Sequence, residues 1–217
     1  MQYAHQDLSN VAGQQFYKLM GSGKGIGFNP LPDWSVYSLV QTWENESAAD
    51  QFFNQSELIQ KYLAQTSKIW TLYMRNIKSH GAWSGSNPFE KSEALDKNIP
   101  LVSVITRATI KTSKLAQFWR YVPTSQKPII NNKDLIYTKG IGEAPIVQMA
   151  TFSLWKNEEA LKSFAYKTKE HQKAIEKTRT INWYKEELFA RFQPYKSLGQ
   201  WEDINHKVLF KSNALEF

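Results

Sequence analysis

Cysteine is absent from this 217-residue sequence. That removes disulfides, zinc–thiolate centres, iron–sulfur clusters and a cysteine nucleophile from consideration. Long hydrophobic runs are missing too, since no stretch approaches the roughly 20 apolar residues of a membrane-spanning helix. Met1–Asn10 (MQYAHQDLSN) has no signal-peptide pattern, so the expectation is a cytoplasmic protein with at most peripheral membrane contact. Acidic residues are the minority charge, 20 against 27 basic, for a net +7. The basic residues are spread along the chain and no Gly-rich aromatic RNA-binding signature accompanies them, which argues against nucleic acid as a partner. A solvated basic surface, with some attraction to anionic lipid or to carboxylates on a ligand, fits better. Phosphate-binding loops are lacking as well. Met20–Gly27 (MGSGKGIG) has neither the G-x-x-x-x-G-K-[ST] spacing nor the strand-to-helix setting of a dinucleotide fingerprint.

What is present is aromatic mass. Eight tryptophans in a chain of this length suit a core built on large flat groups, in one large domain or two small ones sharing an interface. The chain also repeats itself. Phe16-Tyr17-Lys18 is echoed by Phe118-Trp119-Arg120, and Lys24-Gly25-Ile26-Gly27 by Lys139-Gly140-Ile141-Gly142. Trp43 to Ala48 (WENESA) returns as Trp155 to Ala160 (WKNEEA), Trp70 as Trp183, and Gly81-Ala82-Trp83 as Gly199-Gln200-Trp201. Ordered matches of this kind indicate an internal duplication. On this alignment Lys18 and Arg120 hold equivalent places, which argues for scaffold roles.

Each half shows one plan. SVYSLVQT (Ser35–Thr42) and VQMATFSL (Val147–Leu154) are rich in β-branched and aromatic residues and predict strands. Asn45 and Asn157 then cap helices with glutamates in the first turn. WTLYMRNI (Trp70–Ile77) and Trp183–Phe192 are closing strands. The second half opens with a strand, Leu101–Ile110, and a helix, Ser113–Arg120, completing β-α-β-β-α-β, the ferredoxin-like unit. The first half lacks the opening strand, which should precede a helix ending near Phe16. The expected organisation is α+β: a ferredoxin-like half at 1–84 lacking that strand, a linker loop at 85–100, a second ferredoxin-like half at 101–201 and a tail at 202–217. The tail carries an apolar patch, Val208–Phe210.

Glu170–Phe192 changes period partway. His171, Ala174, Ile175 and Thr178 share a helical face, whereas Leu188, Ala190 and Phe192 point one way along a strand and Phe189 and Arg191 the other. On spacing alone, a helix-face histidine is a solvated or hydrogen-bonded residue. His5, His80 and His206 read as surface residues. Arg107 sits mid-strand in LVSVITRATI, where an unpaired buried charge is costly. It is either at an outward or edge position, paired with a carboxylate such as Glu187, or it serves a ligand.

Phe16–Gly23 (FYKLMGSG), Gly27–Trp34 (GFNPLPDW), Trp83–Phe89 (WSGSNPF), Thr106-Arg107-Ala108, Gly140–Pro145 (GIGEAP) and Thr151–Trp155 (TFSLW) resemble the spheroidene monooxygenase family of carotenoid ketolases. So does the pattern H-x-x-A-I-x-x-x-R followed by W-[FY]-x-E-E-L-[FY]-A-R-F over 171–192. The resemblance implies a dimeric α+β barrel architecture, with a further strand ahead of Met1 in family members. It also implies haem, with His171 as the iron ligand and Arg107, Arg179, Arg191 and Trp183 as cofactor-side residues. Arg107 would serve as a propionate partner, or as a catalytic donor above the iron. The activity implied is oxygen-dependent oxidation of a hydrophobic small molecule, with electrons from a separate ferredoxin or reductase. A homo-oligomer is compatible with it. Two other readings remain open at this point: a haem peroxidase- or dehydratase-like enzyme on a small substrate, and a non-catalytic haem- or ligand-binding protein.

Overall fold

Seven strands form one antiparallel sheet, and its order explains where the functional residues meet. The computed structural model describes residues 4–27, 29–130, 132–167, 177 and 180–201. The strands are β1 (Gln14–Gly23), β2 (Pro32–Trp43), β3 (Trp70–Gly81), β4 (Val102–Ile110), β5 (Leu135–Ala144), β6 (Gln148–Trp155) and β7 (Tyr184–Gly199). Their order across the sheet is β2-β1-β5-β6-β4-β7-β3. The helices are α1 (Ala4–Leu8), α2 (Glu46–Gln55), α3 (Glu57–Gln65), α4 (Leu115–Ile130) and α5 (Glu158–Lys167). No described helix is long and apolar enough to cross a membrane.

The second half, β4-α4-β5-β6-α5-β7, has its strands in the order β5-β6-β4-β7, with every neighbour antiparallel. This is the ferredoxin-like arrangement the sequence predicted. The first half supplies β1, β2 and β3 and joins the second at both sides. Gly21 faces Gly142 across β1 and β5, and β3 runs antiparallel to β7 from Trp70↔Gly199 to Gly81↔Leu188. The place in the first half equivalent to β4, between β2 and β3, is filled by no described strand.

The sheet curls. Met20, Val40, Met74, Ile105, Ile141, Ala150 and Leu188, one from each strand, share a single apolar cluster with Trp83 and Phe89. Strand alternation puts these side chains inside. Helices cover the outer face. α2 and α3 pack with α1 on β1 and β2, α5 packs on Val102, Val104 and Trp155, and α4 packs on Ile110, Met149 and Trp183. Both predicted caps form: Asn45 Oδ1 accepts from the Ala48 N–H at 2.9 Å, and Asn157 Oδ1 from the Ala160 N–H at 2.8 Å. Burying Phe52, Leu161 or Phe164 under these helices contributes about 2 kcal/mol apiece.

Three details of the predicted repeat are corrected. The first helix ends at Leu8, and Phe16-Tyr17-Lys18 lies in β1, whereas Phe118-Trp119-Arg120 lies in α4. Lys18 and Arg120 are therefore not equivalent. Lys24-Gly25-Ile26-Gly27 forms the β1–β2 turn, with Gly25 and Gly27 at φ 70° and 73°, whereas Lys139–Gly142 is inside β5. The strand counterpart of Lys139–Gly142 is Lys18–Gly21, consistent with the Gly21↔Gly142 pairing. The residues at 85–100 are more than a linker, because Phe89 enters the core and Asn76 Nδ2 donates to the Phe89 carbonyl at 2.9 Å.

Candidate functional site

Four charged side chains lie on strand positions whose alternation points them into the curled sheet: Lys18 on β1, Arg107 on β4, Glu143 on β5 and Glu186 on β7. Each follows the parity of a core neighbour: Met20, Ile105, Ile141 and Leu188 respectively. They meet beneath Trp83-Ser84-Gly85, the turn that follows β3. Arg107, 2% exposed, pairs through Nη1 with Glu186 and through Nη2 with Glu143 at 3.5 Å. Its guanidinium lies 5.9 Å from the Trp83 ring centre. The Trp83 indole N–H donates to Glu143 Oε1 at 2.6 Å, and Lys18 Nζ reaches Glu143 Oε2 and Ser84 Oγ at 2.9 and 2.8 Å.

Glu186 also accepts from the backbone N–H groups of Ser84 and Gly85, at 3.1 and 2.7 Å. Burial pushes its carboxyl upward in pKa. The two backbone donors and Arg107 outweigh that and hold it below the ordinary carboxylate range. The network therefore holds a fixed anion at Glu186 beside a fixed cation. One donor is left over: Arg107 Nε is buried without an acceptor among the described residues. Such a donor is satisfied in folded proteins by a water, an ion or an oxygen acceptor on a ligand.

Access to the network follows from how the two halves join. β1 and β5 pair only at Gly21↔Gly142 and Ser22↔Ile141. Where they part, a cleft of about 410 Å³ opens, lined by His5, Tyr17, Lys18, Leu19 and Glu143. Two of its lining residues, Lys18 and Glu143, pair with each other, and Glu143 also pairs with Arg107.

The residues nominated from the sequence do not gather in one place. Arg107 faces the interior of the sheet. Arg191 and Trp183 belong to the outer, helix-covered face. Arg191 pairs with Glu158 of α5 at 2.5 Å, and Trp183, 3% exposed, packs against Phe118 and Tyr121 of α4. They stand eight positions apart along extended chain, a span of about 26 Å. His171 and Arg179 lie outside the described residues. Glu143 and Glu186 were missed by the sequence reading, which offered Glu187 as the Arg107 partner. Glu187 is exposed. The signal was available: if Leu188, Ala190 and Phe192 point inward, period two puts Glu186 with them and Glu187 opposite.

No family model matches the chain. Curated proteins do. Spheroidene monooxygenase of Cereibacter sphaeroides is 36% identical over 189 residues, which is 87% of this chain and 58% of that protein. The Rhodobacter capsulatus enzyme of the same name is 32% identical over 205 residues, 92% of this chain and 85% of its own. The chain belongs to the spheroidene monooxygenase family. A third member, from Rubrivivax gelatinosus, is 32% identical over 88% of this chain and 72% of its own. The chain thus spans less than two thirds of the Cereibacter protein. Among solved structures, one from Fusobacterium nucleatum aligns with 92% of this chain, and this chain with 87% of it, at 9% identity and a TM-score of 0.43, too distant to bear on function.

Several of the segments that carry the spheroidene monooxygenase resemblance meet at the ion network, whereas Gly27–Trp34 and Thr151–Trp155 contribute no member to it. Trp83–Phe89 forms its lid, Thr106-Arg107-Ala108 its centre, Gly140–Pro145 carries Glu143, and the closing E-E-L carries Glu186. Most are far apart in sequence. The fold alone brings them together.

Proposed function

We propose that this chain is a monooxygenase that oxidises a hydrophobic substrate of carotenoid type, with the ion network at Arg107 as part of its working site. The observation that carries the reading is the convergence just described, in a chain whose relatives are named spheroidene monooxygenases. One oxygen atom would enter the substrate, and the other would leave as water with two protons and two electrons. No flavin or nicotinamide motif is present in the sequence, so a separate ferredoxin or reductase is the proposed electron source.

Haem is the proposed cofactor, by family resemblance, with His171 as its iron ligand. Of the other nominated residues, Trp183 lies on the helix-covered face, across the sheet from the Arg107 network, and its indole N–H has no acceptor among the described residues. It touches Tyr121, which also holds Lys177. The carboxylates at Arg107 are the chain's own Glu143 and Glu186, so Arg107 would set the charge of the site rather than hold a haem carboxylate. Bound haem supplies oxygen activation; what the described residues do is fix charge and exclude water. Arg107 and the Ser84 and Gly85 N–H groups hold Glu186 ionised, Lys18 and Arg107 pair with Glu143, and Trp83 closes the site with an apolar ring that is fully buried.

The test is titration of the protein and of His171→Ala with haemin, followed by spheroidene, oxygen and a reducing system. The expected result is a sharpened, shifted Soret band in the unsubstituted protein alone, and a product that carries one more oxygen atom than spheroidene. Full activity in haem-free protein, or identical spectra for the two proteins, would discard the haem assignment. Haem binding without carotenoid turnover would discard the substrate class.

A further inference from the structure

The β1–β2 hairpin presents more bare apolar surface than any other described segment. Trp34 is 77% exposed, Leu31 60%, Tyr37 48% and Ile26 41%, so four of the seven large exposed hydrophobics among the described residues fall within residues 26–37. Scattered single residues of this kind are ordinary on a protein surface, but a cluster on one projecting element marks a contact surface.

The hairpin is built to hold these side chains out. Gly21 pairs with Tyr37 but Ser22 pairs with Asp33, so Trp34, Ser35 and Val36 form a bulge. Such a bulge turns side chains away from the regular ladder. The bulge is fixed by Ser22 Oγ donating to the Val36 carbonyl at 2.9 Å, and by the Ser35 N–H and hydroxyl donating to Asp33 Oδ1 at 3.1 and 2.6 Å. The tip is fixed as well, by the Lys24 N–H to the Leu31 carbonyl and the Leu31 N–H to Asn29 Oδ1, both 2.9 Å. A preformed apolar surface loses little conformational freedom on docking.

The charge around it has one sign to spare. Asp33 is the only acid between Asp7 and Glu44, and Lys139 pairs with it at 2.9 Å. Lys24, exposed at the tip, has no carboxylate partner among the described residues. The whole chain carries +7.

We propose that the β1–β2 hairpin is a membrane-surface anchor, in which Trp34, Leu31, Tyr37 and Ile26 enter the interface of an anionic bilayer while Lys24 meets lipid phosphate. Tryptophan and tyrosine favour the headgroup level, leucine and isoleucine the layer beneath, and a basic residue at the rim selects anionic lipid. The basis is the chemistry of the hairpin itself, independent of haem or substrate.

The experiment is co-sedimentation of the full chain with vesicles of phosphatidylglycerol and phosphatidylcholine, and with pure phosphatidylcholine, alongside size-exclusion chromatography. Leu31→Ser/Trp34→Ser is compared with Leu63→Ser, which removes a 52% exposed leucine on α3. Binding to the anionic vesicles is expected for the unsubstituted protein and for Leu63→Ser, weaker on pure phosphatidylcholine and in high salt. The double variant should bind at least tenfold less, and Lys24→Gln should lose most of the preference for phosphatidylglycerol. Absence of vesicle binding, or equal binding by the double variant, overturns the proposal. So does an oligomer that the double variant dissociates while vesicle binding is unchanged, because the hairpin would then be covered by a second copy. No carotenoid or haem enters the assay, so its outcome is separate from that of the proposed reaction.

Discussion

Arg107 shows what a single buried charge demands of its surroundings. At 2% exposure it has lost nearly all its water, and Glu186, Glu143 and the Trp83 ring replace it. Removing one member of such a set leaves the others stranded, at a cost of about 3–5 kcal/mol. Arg107→Met should therefore lower the free energy of urea unfolding by roughly that amount at pH 7. Adding Glu186→Met should restore part of it. An additive double variant would show that the pair does not interact. Acid sensitivity checks the same network. The Glu186 carboxyl is depressed below its ordinary 4.5 in the folded chain. Its contribution is thus complete above that value and lost as pH falls through the folded pKa. Glu186→Gln should flatten the stability profile on the acid side of 4.5 and leave its slope unchanged above. Much of this site was legible from alternation along single strands, since the inward parity of Leu188 fixes that of Glu186. What no strand reveals by itself is its partner across the sheet, because β4 meets β7 only after the chain has crossed from one side of the sheet to the other.

At the scale of elements, two glycines close the halves against each other. Gly81 and Gly199 end β3 and β7 with φ of 90° and 81°. A β-carbon on either would sit 2.1 Å from a backbone carbonyl oxygen, that of Glu187 or of Ile69. The following residues, Ala82 and Gln200, donate to those same carbonyls at 2.8 and 2.9 Å. The corners are thus equivalent, as the sequence match of Gly81-Ala82-Trp83 to Gly199-Gln200-Trp201 indicated. Gly81→Ala or Gly199→Ala should cost about 2 kcal/mol or more, since both strain and displacement of backbone are involved. Gly21→Ala, with open space around it and an ordinary φ, should cost under about 1 kcal/mol. Thermal melts of the three variants check the contrast, and a Gly21→Ala loss equal to the others would contradict it. The repeat failed at the short glycine match of Lys24–Gly27 to Lys139–Gly142, and where the match was only an aromatic pair and a base. Three residues cannot distinguish strand from helix. Phe16 lies in β1, which runs alongside β2, whereas Phe118 and Val122 sit four apart on one face of α4.

For the whole molecule, the decisive fact is that seven strands curl around a shared core while β2 and β3 each have one side unpaired among the described residues. α2 packs close to both, with Phe52 against Trp43 at 5.3 Å and Phe53 against Tyr73 at 6.1 Å between ring centres. Amides of β4 and β6, paired on both sides, should exchange slowest with deuterium. Outward-facing amides of β2 and β3 should exchange faster by roughly tenfold or more. Equal protection across the sheet would mean that another strand pairs with those edges. The sequence by itself determined the period of β2, β3, β4, β6 and β7, the helix caps, the ferredoxin-like order of the second half and the family, because these depend on neighbours within one element or on motif identity. Tertiary structure alone decided that Phe89 leaves the expected linker to join Trp83 in the core, and that Glu143 and Glu186 close on Arg107. It also set the hairpin's apolar residues in solvent. Burial and ion pairing depend on which strands become neighbours, and that is a property of the curled sheet as a whole.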